Sequence, residues 1–195
     1  MSGKFIIRDT RLAGSKPLGD LIEVDSKTPL QYIMDMINQR SETHKGDLIV
    51  QIMCHGLPGY LMCGKGAVAH KMHDEEKKKD PNKGNGITWH DLPAFESISG
   101  KIKTLELRAC LVAYMGVSPE EPTDLNGFDG NYFCYRLAQT IQAEVKASLH
   151  WQWYHEQPNI VFQRWYGEVK TWGPKGNIIK TEMFAFRDPY ISVKF

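Results

Sequence analysis

Apolar positions along this chain follow two periods, one near two residues and one near three and a half. Phe5-Ile6-Ile7 predicts a short strand and Leu21-Ile22-Glu23-Val24 a second. Thr28-Pro29 then reads as a helix start, with Thr as N-cap and Pro in the first helical position. Leu30, Ile33, Met34 and Ile37 recur at helical spacing, so an amphipathic helix is expected to end near Gly46. Leu48-Ile49-Val50-Gln51-Ile52-Met53 is almost continuously apolar and suits a strand buried on both faces of a parallel sheet. Tyr60-Leu61-Met62-Cys63 follows a Pro58-Gly59 turn as a shorter strand. Asp91-Leu92-Pro93 opens a short helix through Phe95 and Ile98, and Thr104-Leu105-Glu106-Leu107-Arg108-Ala109 predicts the next strand. Phe133, Leu137 and Ile141 mark another helix, followed by a strand at Val145-Lys146-Ala147-Ser148-Leu149.

Two stretches carry neither period. Nine of the thirteen residues at 71–83 are charged, with both signs mixed, and Gly84 and Gly86 follow, which predicts a solvated loop. Residues 116–130 form a second loop, rich in Pro and Gly. After His150 the composition shifts to Trp151, Trp153, Trp165 and Trp172. Residues 160–171 and 178–183, separated by Gly173-Pro174-Lys175-Gly176-Asn177, read as a hairpin. Strands alternating with helices imply an α/β domain with a mainly parallel sheet flanked by helices. The chain is expected to be one domain over 1–195, with an α/β core at 1–150 and a Trp-rich hairpin extension at 151–195.

Composition narrows the function classes. With 195 residues, 42% of them hydrophobic, the chain can bury one sizeable core. A formal net charge of +1 argues against nucleic-acid binding through a bulk basic field. No apolar run approaches the roughly 18 residues that span a bilayer, so no membrane partner is expected. Met1-Ser2-Gly3-Lys4-Phe5-Ile6-Ile7-Arg8 lacks the apolar core of a signal peptide, and synthesis in the cytoplasm is expected. Four cysteines (Cys54, Cys63, Cys110 and Cys134) are too few for a disulfide scaffold. Cys54, Cys63 and Cys134 sit in apolar segments and read as small buried hydrophobes.

Cys110 differs because it closes a strand, and another strand ends in His55-Gly56. If those strands are parallel neighbours, both residues emerge at the carboxyl edge of the sheet, where open α/β folds place their sites. A thiol with pKa near 8.5 is mostly protonated at neutral pH, and an adjacent imidazole can take its proton. Glycine after the histidine lets its N–H approach a substrate carbonyl. Paired with the Cys110 N–H, it would form an oxyanion hole, typically worth about 3 kcal/mol per donor.

A hydrophobic strand ending in His-Gly, then a hydrophobic strand ending in Ala109-Cys110, resembles the clan CD cysteine peptidases: caspases, metacaspases, legumain, gingipains and clostripain. It also resembles caspase-like domains of large bacterial surface and adhesin proteins. Segments 48–56, 59–64 and 105–113, the Phe133-Leu137-Ala138 helix, Val145-Lys146-Ala147-Ser148 and the 167–172 hairpin follow that pattern in order. The resemblance implies a caspase-like fold and a cysteine endopeptidase without cofactors. Its catalytic pair would be His55 and Cys110, with Gly56 as oxyanion donor. It also implies a protein or peptide substrate and, for a regulated protease or a bacterial toxin or effector, an inhibitor or immunity protein as partner. An effector would leave the cytoplasm through a dedicated secretion system. Some relatives require processing, for which Lys77-Lys78-Lys79 or the 116–130 loop is the candidate. The specificity pocket would draw on Arg8, Asp9 and Arg11 after the first strand, and on Ser148, His150 and Trp151 after the later one.

Leu111-Val112-Ala113-Tyr114 departs from the small or acidic residue and Ser-Gly that many members carry after the cysteine. That departure motivates an alternative: a catalytically inactive, protein-binding module of the same fold. A lesser alternative is a metal site from Cys54, His55, Cys63, His70 and His73, although no paired C-x-x-C occurs. Gly64-Lys65-Gly66-Ala67-Val68-Ala69 imitates a dinucleotide fingerprint but lacks the following helix and acidic strand residue, so a turn is expected.

Overall fold

The structure is a computed structural model that describes residues 3–12, 14, 16–69, 85–114, 129–152 and 165–185. Among these residues seven strands form the main sheet, in the order β11-β10-β9-β8-β3-β1-β2. They are β1 (Gly3–Asp9), β2 (Asp20–Val24), β3 (Leu48–Met53), β8 (Thr104–Arg108), β9 (Glu144–Ser148), β10 (Gly167–Trp172) and β11 (Ile178–Phe184). The five strands from β2 to β9 are mutually parallel, whereas β9–β10 and β10–β11 are antiparallel. The protein is therefore α/β with a mostly parallel sheet and a C-terminal hairpin. Small pairs β4 (His55–Leu57) with β5 (Tyr60–Met62), and β6 (Val68–Ala69) with β7 (Asn85–Gly86), complete the strands.

Helix α1 (Leu30–His44) buries Leu30, Ile33, Met34 and Ile37, the stripe read from the sequence. It ends where Lys45 turns left-handed (φ 45°) and Gly46 (φ 82°) follows. Its start differs from expectation. Pro29 occupies the N-cap position, and the Thr28 hydroxyl instead donates to Asp25 Oδ1 at 2.9 Å, closing a local turn. The second helical segment begins earlier than Asp91. Thr88 and Asp91 form a capping box around a 3-10 turn (Trp89–Asp91), which runs into α2 (Leu92–Phe95) and a further turn (Glu96–Ile98). Asp129 caps α3 (Gly130–Ile141) by accepting from the N–H groups of Asn131 and Tyr132. The predicted loop at 71–86 falls outside the described residues except for Asn85 and Gly86, and that at 116–130 except for Asp129 and Gly130.

Among the described residues one face of the sheet carries the continuous core. Phe5, Ile7, Val50, Ile52, Leu105, Leu107, Val145 and Ala147 meet the apolar stripes of α1, α2 and α3 there. Full burial of such a side chain stabilises the fold by about 1.5–3 kcal/mol. The opposite face has an apolar patch of Ile6, Leu12 and Met53 beside a polar row. Register aligns Ile6, Gln51, Glu106, Lys146, Thr171 and Lys180 across six strands. β3 is thus buried on both faces as its sequence implied, with Gln51 on the polar side. Among the described residues no helix is long and apolar enough to cross a membrane.

Candidate functional site

Parallel strands bring the carboxyl ends of β1, β3, β8 and β9 to one edge, and every candidate site residue follows or ends one of them. The chain leaves β1 to pair β2 on one side and returns as β3 on the other, so the strand order reverses between β1 and β3. Such a switch point opens a crevice at the carboxyl edge. Two contacts shape that edge here.

The first comes from the β4–β5 hairpin. Met53 pairs with Arg108, and one residue later the Cys54 N–H donates to the Arg108 carbonyl at 3.4 Å. The chain then turns into the hairpin, where His55 pairs with Met62 and Gly56 with Leu61. Gly56 lies against the main chain at Cys110. A methyl group on its Cα would sit 2.7 Å from the Cys110 carbonyl oxygen, 2.7 Å from Val112 Cγ2 and 2.8 Å from Ala109 Cβ. The Gly59 N–H donates to the Val112 carbonyl at 3.0 Å, fastening the hairpin tip to the same loop. The hairpin bearing His55 and the turn bearing Cys110 therefore pack directly together.

The second contact holds the imidazole. His55 is exposed, and its Nε2 lies 3.2 Å from the Arg11 carbonyl oxygen. A carbonyl only accepts, so Nε2 carries the proton and Nδ1 is left as the basic nitrogen. Arg11 is in turn fixed. Its Nε and Nη2 donate to the two Asp9 oxygens at 2.7 Å each, and Nη1 donates to the Asn85 carbonyl at 2.8 Å. Asp9 is fully buried and also accepts from the Gly64 N–H at 3.1 Å. Arg8 is buried too, pairing with Glu23 at 2.9 Å and donating to the Leu12 and Gly14 carbonyls. Arg8 and Asp9, expected to face substrate, are instead committed to shaping the loop that orients His55. The reason is burial: charges removed from water persist only when paired.

Cys110 does not close its strand as expected but lies two residues past the end of β8, in a strained turn. Leu111 adopts a left-handed conformation (φ 55°), which costs a non-glycine residue about 1–3 kcal/mol. Hydrogen bonds from the segment after β9 stabilise it: the Leu111 N–H donates to the His150 carbonyl and the Ala113 N–H to the Ser148 carbonyl, both at 3.1 Å. The Cys110 thiol donates to the Gln152 carbonyl at 3.4 Å and accepts from the Gln152 N–H at 3.3 Å. Only 8% of Cys110 is exposed. Burial raises its pKa above the ordinary cysteine value, and the Gln152 N–H opposes that rise.

Of the remaining expected residues, Ser148 is buried, its hydroxyl accepting from the His150 N–H at 3.0 Å and facing the Tyr166 carbonyl at 3.2 Å. Trp151, 59% exposed, is the one of that trio presented broadly to solvent. Sequence reasoning missed Gln152, which lies 42 residues from the sulfur it touches. No local signal could have found it, because β9 has to pair with β8 before the two meet.

Cys54 and Cys63 stand one residue outside the His55–Met62 pair at the base of the hairpin, both fully buried. Burial and the neighbouring Cys63 thiol push the Cys54 pKa well up. No group of three metal-ligating side chains occurs among the described residues, and His70 and His73 lie outside them. The Gly64–Ala69 segment leads into strand β6 rather than a helix, so it lacks the helix N-terminus on which a dinucleotide site depends. Compared with known protein families, curated proteins and solved structures, the chain finds no match.

Proposed function

We propose that this protein is a cysteine endopeptidase of caspase-like architecture, with His55 and Cys110 as its catalytic pair. One observation carries the reading: the close packing of Gly56 on the Cys110 main chain, which draws the histidine-bearing hairpin and the cysteine-bearing turn to one sheet edge. The Arg11 carbonyl behind the imidazole supplies the third, orienting group that activated nucleophiles need.

In this reading His55 Nδ1 takes the Cys110 proton, and the thiolate attacks a peptide carbonyl carbon. A C–S bond forms, and the oxyanion is held by the Gly56 and Cys110 N–H groups. The peptide C–N bond breaks as the imidazolium returns the proton to the leaving amine. Water then hydrolyses the thioester, regenerating the thiol. Trp151 offers an aromatic wall for a substrate side chain. A bacterial effector or a regulated protease would both use such a site, with an inhibitor or immunity protein as the natural partner.

Incubating the parent and Cys110→Ala with peptide libraries tests the assignment. Cleavage by the parent alone is expected, and equal cleavage by both would overturn it. The buried, doubly hydrogen-bonded thiol favours a second reading, an inactive module that binds a protein partner. A thiol-directed peptide inhibitor separates the two: labelling of Cys110 that depends on His55 belongs to the enzyme, and indifferent labelling to the module.

A further inference from the structure

Gln152 makes more side-chain hydrogen bonds than position 152, just beyond the end of a strand, would require. It is 7% exposed. Its Oε1 accepts from the Tyr166 N–H at 3.1 Å. Its Nε2 faces four oxygens: Ser148 Oγ at 2.7 Å and the carbonyls of Tyr166 (3.0 Å), Trp151 (3.1 Å) and His150 (3.2 Å). The amide thus curls the 148–152 segment upon itself and staples it to the chain entering β10. The backbone of the same residue lies on the Cys110 sulfur, N–H and carbonyl both within hydrogen-bonding reach. Side chain and main chain of one residue therefore do two jobs. One fixes the strap, and the other covers the thiol.

The cover opposes nucleophilic chemistry. Exclusion of water disfavours the thiolate, and a carbonyl that accepts from S–H does the same, while the Gln152 N–H acts in the other direction and is outweighed by burial. A thiolate that attacks carbon must be approached by substrate, and Cys110 is only 8% exposed beneath the strap. The strap is also tied to the strained turn through the Leu111 and Ala113 N–H groups, so lifting it frees the turn after Cys110 as well.

We propose that Gln152 is an autoinhibitory latch: its side-chain amide holds the 148–152 strap across Cys110, and the thiol becomes available only when that amide lets go. The inference rests on reading Cys110 as the nucleophile. Exposed Trp151, one residue before the latch, is the point at which an arriving peptide can pull the strap away.

The test is iodoacetamide alkylation of the full chain, with each cysteine followed by peptide mass mapping. Cys54, Cys63 and Cys134 are fully buried and act as internal reporters of the fold. Gln152→Ala is expected to raise the Cys110 rate about tenfold, the equivalent of one net hydrogen bond of ~1.4 kcal/mol, with the other three silent. Gln152→Met removes the amide while keeping most of the volume, and should do the same. An unchanged Cys110 rate with the reporters silent overturns the latch. Labelling of all four cysteines together in both variants also overturns it, because Gln152 would then hold the fold rather than the cap. Alkylation does not require turnover, so peptide hydrolysis measured alongside tests the peptidase reading separately. An unlatched, labelled Cys110 without hydrolysis keeps Gln152 as the cover of the thiol but overturns the peptidase reading, and with it the autoinhibitory role.

Discussion

Replacing Gly56 with alanine probes the contact that joins the two halves of the candidate site. The added methyl would meet the Cys110 carbonyl oxygen at 2.7 Å, Val112 Cγ2 at 2.7 Å and Ala109 Cβ at 2.8 Å. All three are closer than carbon tolerates, and none is the free end of a long side chain that could swing aside. Relief has to come from main-chain movement, by shifting the β4–β5 hairpin outward or the 109–112 turn back. Overpacking of this kind costs about 1–3 kcal/mol. In a domain of this size that lowers the melting temperature by about 2–4 °C for each kcal/mol. Gly100→Ala is the control: nothing lies within 4 Å of its Cα substituent, but its φ of +68° makes alanine strained through the backbone alone. Urea denaturation and thermal melts of the two variants give the stabilities, and peptide hydrolysis gives the functional effect. A displacement near 1 Å between imidazole and sulfur should lower turnover about 100-fold for Gly56→Ala, while Gly100→Ala keeps parental turnover. Gly56→Ala that melts with the parent would show that hairpin and turn do not touch. The catalytic proposal would then lose its geometric support.

Two further predictions concern groups around the pair. Asp9→Asn breaks a buried carboxylate–guanidinium fork and should cost about 3 kcal/mol in urea denaturation, since Arg11 loses both charged contacts; a loss below ~0.5 kcal/mol would mean the fork does not hold the loop. The pH dependence of Cys110 alkylation follows from the raised pKa of its buried thiol. Burial favours the neutral S–H form, so reactivity should be low below, and climb only above, the ~8.5 of a free cysteine. A midpoint lower than that would show the Gln152 N–H outweighing burial.

Local patterns told most of the element inventory. Leu30, Ile33, Met34 and Ile37 mark a helix because residues three and four apart share a face whatever the rest of the chain does. Gly46 marks its end because a left-handed turn favours glycine, although Lys45 also adopts that conformation. The sequence offered His55-Gly56 and Cys110 as two strand ends of matching character; β3 and β8 are indeed parallel neighbours, but they stop at Met53 and Arg108, and His55 and Cys110 each lie two residues further on. Thr28 misled because its hydroxyl had a nearer partner in Asp25 than the helix N–H groups. Thr88 was overlooked because the capping box closes around a 3-10 turn before the apolar stripe begins.

What the residues by themselves determined was most of the segments that form strands and helices, and which side chains carry a thiol or an imidazole near a strand end. Those properties depend on neighbours a few positions away. Only the tertiary structure decided that Arg8 and Asp9 turn inward and that the helices among the described residues share one face of the sheet. It also decided that Gln152 lies on the Cys110 sulfur. Each of these depends on strand order and on which groups lose their water together, and no window along the chain contains that information.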